Sequence, residues 1–493
     1  MTLPISFRAR ARRAVILGGV LLVAAARTGA QAAPYDIVIR NGRVIDPESK
    51  LDAVRTIGIR NGKIATITTG PLTGRKTIDA TGLVVAPGFI DLHAHGQDDE
   101  NYRLFAQDGV TTALELEVGT EDVPRFYADR AGKALINFGA AASHLRSRMV
   151  VLGDNGIAKG TLLPLDSAGY RVATDAQIAE MRRLIDRGLD AGGLGVGMGL
   201  QYTPAATKYE VLEAFRSAAR RHAPVFVHTR SWGDTDPGSS VESYMEVIAA
   251  SAISGAPLHI VHLNSTSLAA TPRTLAMVAD AQRRGLDVTA EAYPYIAGMT
   301  EMASPLLDRY VNGPDSLFKT LLLPRTGERL TRATFLANRK PGEVVILFAN
   351  TPEMEAMAIT SPLTAIATDG RINQGIGHPR AAGTFARVLG YYVRETHQLT
   401  LMQAITKMTL MPARRLETVA PAFTQKGRLR VGADADVTIF DAATVTDKST
   451  FAQPALPSEG VRHVLVNGVA VITDGRVVDG VFPGRGARGP SRP

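Results

Sequence analysis

The sequence predicts an α/β fold, a (β/α)8 TIM barrel accompanied by a small β-sandwich built from both the N- and C-terminal segments. Three observations predict it. Eight apolar strand-like runs alternate with segments of helical spacing through the middle of the chain, and two β-rich ends bracket that middle. A length of 493 residues suits one large barrel with an accessory domain.

Residues 1–32 read as a targeting segment, with Arg8, Arg10, Arg12 and Arg13 ahead of the apolar run 14–26 and the small-x-small pattern Ala30-Gln31-Ala32 behind it. The run is short for a permanent membrane span. The expectation is therefore a cleaved signal peptide, a periplasmic or secreted mature protein, and no stable membrane association after cleavage.

Residues 33–86 form the first part of the sandwich. There the β-branched runs 35–46 and 56–67 turn at Asn41-Gly42 and Asn61-Gly62, the dipeptides that hairpins favour. Residues 421–480 repeat that vocabulary in the runs 435–440 and 461–472. Short strand sets need a facing layer to bury their apolar side, so one sandwich from both ends is the economical arrangement.

The barrel spans 87–420, with strand candidates at 87–93, 110–118, 134–140, 194–200, 224–229, 258–264, 288–295 and 364–370. Intervening stretches such as Asp175 to Arg187 and Thr274 to Arg284 carry helical apolar spacing. A ninth candidate, Val344 to Phe348, belongs to an insertion. Residues 481–493 are Gly- and Pro-rich with three arginines and read as a disordered tail.

Composition excludes several classes. The apolar share of 45% with 21% charged residues is that of a globular protein. The formal charge of +8 includes five arginines in residues 1–32, whose removal leaves +3, and three more arginines sit in the tail. Nucleic-acid binding is thus unsupported. Cysteine is absent, which removes thiol nucleophiles and thiolate metal sites.

Catalytic groups of such barrels collect where strands end, at the C-terminal mouth. The first strand runs into His93-Ala94-His95, whose side chains share one face by alternation. Alone, His-x-His is a weak signal. The second carries Glu115 and Glu117; a carboxylate inside an apolar strand is costly unless it meets a cation. Glu117, nearer the strand end, is the preferred ligand, with Glu115 the alternate or the partner of an arginine.

The fifth strand ends at His228, the sixth at His262 and the eighth at Asp369. Four of the ten histidines thus fall at strand ends. His93, His95, Glu117, His228, His262 and Asp369 form the candidate metal set for one or two Zn2+ ions. Asp369 is the candidate general acid–base group for a metal-activated water. His259, on the opposite strand face from His262, reads as packing.

These residues, in this order, are those of the amidohydrolase superfamily, which the chain resembles over nearly all its mature length. The segments 199–204, 292–295 and 378–390 bring it nearest to the N-acyl-D-amino-acid deacylases, the D-aminoacylases. That resemblance implies that Arg380, in His378-Pro379-Arg380, engages the substrate carboxylate, as suits a planar two-pronged donor. Tyr202, Tyr293 and Tyr295 would line the pocket. Two departures stand out: the family's ligating Cys after the second strand is Glu117 here, a harder oxygen ligand, and its substrate-contacting Lys after the sixth-strand His is Asn264, carried over as substrate-binding.

The expected activity is zinc-dependent hydrolysis of the linear amide of N-acyl amino acids, of D configuration, or of related dipeptides. Cyclic amide or lactone hydrolysis and an inactive exported binding protein are the alternatives. Configuration, acyl specificity, metal count and the possibility of an oligomer stay open on the residues alone.

Overall fold

The computed structural model describes residues 34–491; the signal-peptide expectation lies outside the described residues. Eight parallel strands form one sheet in the order of the chain: Phe89–Asp91, Val110–Thr120, Asn137–Ser143, Val196–Gly199, Val225–His228, Leu258–Ile260, Val288–Ala292 and Thr364–Ile366. Every sequence candidate supplies one of them. The ring closes just beyond the strand ends, where Asp369 N donates to His93 O at 2.7 Å and His95 N to Gly370 O at 3.0 Å. First and last strands are thereby laced together at the mouth itself.

The helices between strands start where the sequence offers caps. Asp175–Asp190 opens on a reciprocal capping box between Thr174 and Gln177, and Lys208–Ala219 on the Thr207 hydroxyl. They bury one face: Ile178, Met181, Ile185 and Leu189 of the first are all within the core. Among the described residues no helix is long and apolar enough to cross a membrane.

Between the seventh and eighth strands the chain leaves the barrel for an insertion. Ala297–Glu301, Leu321–Leu323, Glu328–Arg329 and Val344–Phe348 pair as an antiparallel sheet with its own core around Leu307, Phe318, Phe335 and Val345. The ninth strand candidate is therefore part of this inserted sheet.

The terminal strands join one nine-stranded sheet to which both ends of the chain contribute. Tyr35–Asp46 pairs with Leu51–Arg60, and Val84–Pro87 bridges to Val437–Phe440 from the C-terminal end. The sheet curls back on itself: Ile64 N donates to Ala433 O and Ala435 N to Gly62 O, both at 2.9 Å. Ile39, Ile57, Ile59, Val437 and Leu465 fill the small core this creates.

Two expectations are corrected. Asn41-Gly42 does not turn the chain into a hairpin: Tyr35–Asp46 is one strand, bulged against Leu51–Arg60 between Ile39 and Gly42. The C-terminal segment is not disordered, because residues 484–489 run against the third barrel strand. Phe138 N donates to Arg485 O at 3.1 Å and Ala487 N to Phe138 O at 2.7 Å, while the buried Tyr127 hydroxyl donates to Ala487 O at 2.6 Å. Composition misled because this segment is held by its backbone. Glycine also permits the approach: a Cβ on Gly484 would lie 2.1 Å from Ile136 O.

Candidate metal centre

Four imidazoles and two carboxylates converge at the C-terminal mouth. His93 and His95 lie beyond the first strand, kept extended by bridges to Glu115 and Gly370, so both rings face inward as alternation predicts. Their Nε2 atoms stand 3.2 Å apart. His228 ends its strand directly, whereas His262 (φ 32°) and Asp369 (φ 51°) turn in the left-handed region. Non-glycine residues pay about 1–3 kcal/mol for such backbone, and that strain aims both side chains at the centre.

Glu117 is the hub. Its Oε2 lies 3.2 Å from His93 Nε2 and 3.1 Å from His95 Nε2. Its Oε1 lies 2.8 Å from His228 Nδ1 and 3.5 Å from His262 Nε2. One carboxylate thus faces two donor groups, one of His93, His95, Glu117 and Asp369 and the other of Glu117, His228 and His262, each with donor atoms within 4.8 Å of one another. Asp369 Oδ1 approaches His93 and His95 at 3.5 and 3.2 Å, and Oδ2 faces His262 at 4.0 Å.

A second tier holds these side chains. Glu115 is not a ligand of the cluster: its Oε2 pairs with His95 Nδ1 at 2.8 Å and its Oε1 accepts from the amides of Val118 and Gly119. Its partner is thus a histidine rather than an arginine. Glu291 bridges His93 Nδ1 at 2.7 Å and His259 Nε2 at 3.0 Å. Asp91 accepts from the amides of His93 and Thr368, tying the first strand to the last. Such partners fix tautomer and ring orientation in metal sites.

Glu291, Gln201 and the role of His259 escape sequence reasoning. A signal existed for Glu291, a carboxylate inside the apolar run 288–292, by the same reasoning that singled out Glu115. Gln201, whose Oε1 lies 2.7 Å from His228 Nε2, had none.

Electrostatically the pocket demands positive charge. Burial alone would strip the proton from His93, yet the carboxylates of Asp369, Glu117 and Glu291 raise its pKa to about 10. Burial likewise disfavours the Glu291 carboxylate, but its bonds to His259 and His93 pull it down to about 2. Glu117 and Asp369 are held low against burial, the first by surrounding imidazoles and the second chiefly by Arg380. His228 shifts down through burial and the neighbouring His262.

Of the four buried carboxylates, those of Glu115, Glu117, Glu291 and Asp369, only Asp369 has a guanidinium beside it, and the other three exceed what neutral imidazoles can balance. A cation resolves that excess. Oxygen and imidazole donors without thiolate suit zinc, and the buried His262 Nδ1 has no hydrogen-bond partner, leaving that ring without an anchor of its own.

Tyr202, Asn264, Tyr293 and Tyr295 line a cavity that opens onto Asp369, His228 and His262, and Arg380 lies behind that lining against Asp369 and Tyr293. Arg380 is buried with its guanidinium 4.6 Å from the Tyr293 ring centroid, and its Nη1 sits 2.8 Å from Asp369 Oδ2. Its Nε and Nη1 nevertheless lack a hydrogen-bond partner in proper geometry. Tyr202 packs its ring against His228 at 4.7 Å. Tyr295 lines the cavity, and a Cβ on Gly383 would lie 3.0 Å from its hydroxyl.

Asn264 departs from expectation. Its amide donates to Tyr293 O at 3.0 Å and its oxygen receives Tyr293 N at 3.4 Å, so it braces the 293–295 turn. A short amide reaches the adjacent backbone and stops there, leaving no free donor for substrate.

Fold and site together define a barrel protein with a buried centre suited to one or two cations at its C-terminal rim. The amidohydrolase family profile Amidohydro_3 matches residues 76–308 and 345–472, and the chain belongs to that family. It is 31% identical over 489 residues to the N-acyl-D-glutamate deacylase of Alcaligenes xylosoxydans xylosoxydans, covering 88% of this chain and 93% of that one.

Among solved structures, the Bordetella bronchiseptica N-acyl-D-glutamate deacylase, complexed with zinc and a phosphonate inhibitor, superposes with a TM-score of 0.78 at 27% identity. That match covers 92% of this chain and all of the other. A D-aminoacylase described with a binuclear metal centre matches at TM-score 0.76 and 26% identity, again over 92% and 100% of the two chains.

Proposed function

We propose that this protein is a zinc-dependent amidohydrolase that cleaves the amide of N-acyl-D-amino acids. The observation that carries the reading is the convergence of His93, His95, Glu117, His228, His262 and Asp369 into two donor groups that share Glu117, beside a buried arginine whose Nε has no hydrogen-bond partner. The family relatives support the substrate class: those named above act on, or are named for, N-acyl-D-amino acids.

His93, His95, Glu117 and Asp369 would hold one zinc position, and Glu117, His228 and His262 the other. When bound, zinc polarises a carbonyl and acidifies water toward neutral pH. The Asp369 carboxylate takes the proton of the attacking water and returns it to the leaving nitrogen. The Arg380 guanidinium keeps Asp369 ionised through Nη1 and offers Nε, which has no hydrogen-bond partner, to the substrate carboxylate. Glu115 and Glu291 hold the two imidazoles of the first strand in register for this work.

Zinc-loaded protein is expected to release the acyl acid from N-acetyl-D-amino acids, and to lose that activity on chelation. Asp369→Asn is expected to reduce kcat by about 10²- to 10⁴-fold, the share general acid–base catalysis supplies. Full activity in that variant, or in the metal-free protein, refutes the reading. We also propose export of the chain, on the arginine-rich and apolar N-terminal segment and its Ala-x-Ala site; sequencing the mature N-terminus tests it, with residue 33 expected first.

A further inference from the structure

We infer that the preferred substrate carries an uncharged, apolar amino-acid side chain, and that N-acyl derivatives of acidic amino acids are poor substrates. This rests on the proposed deacylase reading and narrows it.

The cavity above the centre is walled by Trp232, Leu268, Ile296, Met299, Leu306 and Leu347. Among the described residues lining it there is no lysine or arginine, and the one carboxylate is Asp369. Arg380 lies against Asp369 and Tyr293 and answers the α-carboxylate that every substrate of the class carries. A second carboxylate would therefore need a second cation. Two further arginines stack on residues of the wall: Arg309, exposed, 4.8 Å over the Trp232 ring, and Arg387, 5.2 Å over the Tyr295 ring, whose Nε donates to Pro294 O and whose Nη1 pairs with Asp447.

Neutral polar groups give little compensation. Asn264 is spent on the 293–295 backbone, and Asn350 Nδ2 donates to Asn264 O at 3.0 Å. A buried carboxylate left without partners is costly, whereas an apolar side chain gains from the same wall.

The wall is fixed in place. Leu268 adopts φ 46°, a conformation that L side chains rarely take, and its carbonyl accepts from the Thr271 hydroxyl at 2.7 Å. Met299, Leu306 and Leu347 come from the insertion between the seventh and eighth strands. Side-chain selection is thus carried by an element separate from the strands that carry the metal donors.

The test compares kcat/KM of the zinc-loaded full chain for N-acetyl-D-leucine, N-acetyl-D-methionine, N-acetyl-D-glutamate and N-acetyl-D-aspartate. The apolar pair is expected to lead by about 100-fold, the scale on which an unpaired polar group is rejected. Leu268→Lys and Met299→Lys, on separate elements so that one misfolding leaves the other, are each expected to narrow that ratio at least about tenfold by giving the second carboxylate a partner.

Acidic substrates cleaved as well as apolar ones by the unsubstituted protein would overturn the inference and leave the deacylase reading standing. Cleavage of none of the four would overturn both. Folded variants that still cleave N-acetyl-D-leucine but leave the ratio unchanged would overturn the assignment to this wall.

Discussion

Replacing Glu291 by Gln isolates what the buried bridge beneath the centre contributes. The carboxylate accepts from His93 Nδ1 at 2.7 Å and from His259 Nε2 at 3.0 Å, all three side chains being buried. Gln keeps the volume but turns one acceptor oxygen into a donor, so one imidazole must lose its bond or change tautomer. If His93 changes, its proton moves to Nε2, the nitrogen that faces Glu117, His95 and Asp369. Loss of an outer partner of this kind costs about 10- to 100-fold in metal affinity, or about 1.4 to 2.8 kcal/mol.

The cost should fall unevenly, since His228 and His262 make no contact with Glu291. Chelator-stripped protein titrated with zinc, with calorimetry for affinity and elemental analysis for stoichiometry, is the assay. One position is expected to bind as in the unsubstituted protein and the other 10 to 100 times more weakly. Circular dichroism checks that the fold survives. Unchanged affinity and stoichiometry at both positions would refute the claim that Glu291 holds His93 in its metal-facing tautomer.

A Cβ at Gly298 would lie 3.1 Å from the Tyr293 hydroxyl and 3.9 Å from Arg380 Nη1, so Gly298→Ala should crowd the carboxylate end of the cavity; KM is expected to rise more than kcat falls, and an unchanged KM counts against that placement. Truncation after residue 480 would remove the backbone partners of Phe138 and leave the proton of the buried Tyr127 hydroxyl without its acceptor, Ala487 O. At about 1–3 kcal/mol for a buried unsatisfied group, thermal denaturation should show a melting temperature several degrees lower; an unchanged one would mean the segment contributes nothing.

Asp108 is buried and pushed up to about 8 by that burial, against hydrogen bonds from Ser458 and the amides of Phe385 and Ala386. The folded state therefore binds its proton more tightly than the unfolded chain does. Stability from this group is full below the ordinary carboxylate range and is lost as pH rises to about 8. The slope is at most about 1.4 kcal/mol per pH unit, and Asp108→Asn is expected to flatten it in denaturant titrations between pH 5 and 8; a parallel pH profile would refute the assignment.

Much of the architecture was legible because it rests on local periodicity. Each barrel strand is a short apolar run, and the left-handed Asn61 and Asn467 sit in turns that their Asn-Gly pairs mark, whereas Asn41-Gly42 marks a bulge within one strand. The candidate ligands were legible because they close those runs. Glu291 was missed although it interrupts an apolar strand, since its worth depends on two histidines remote in sequence, His93 and His259. Asn264 reads as substrate-binding because it stands where the resembled family has a substrate-contacting Lys, but its shorter amide turns to the backbone of Tyr293 instead. The C-terminal segment was misread because glycine-rich chain shows no apolar pattern, whereas what holds it is a backbone ladder supplied by a distant strand.

By itself the sequence determined the barrel, the β domain shared by both ends and the roster of imidazoles and carboxylates at the mouth. These follow from alternation and from the cost of placing charge in apolar strands, both of which are properties of short segments. Only the tertiary structure decided that Glu117 stands between two donor groups while Glu115 supports His95, that Glu291 and His259 belong to the support, and that an inserted sheet walls the cavity with apolar side chains. Those are distances between residues far apart in the chain, and no local pattern encodes them.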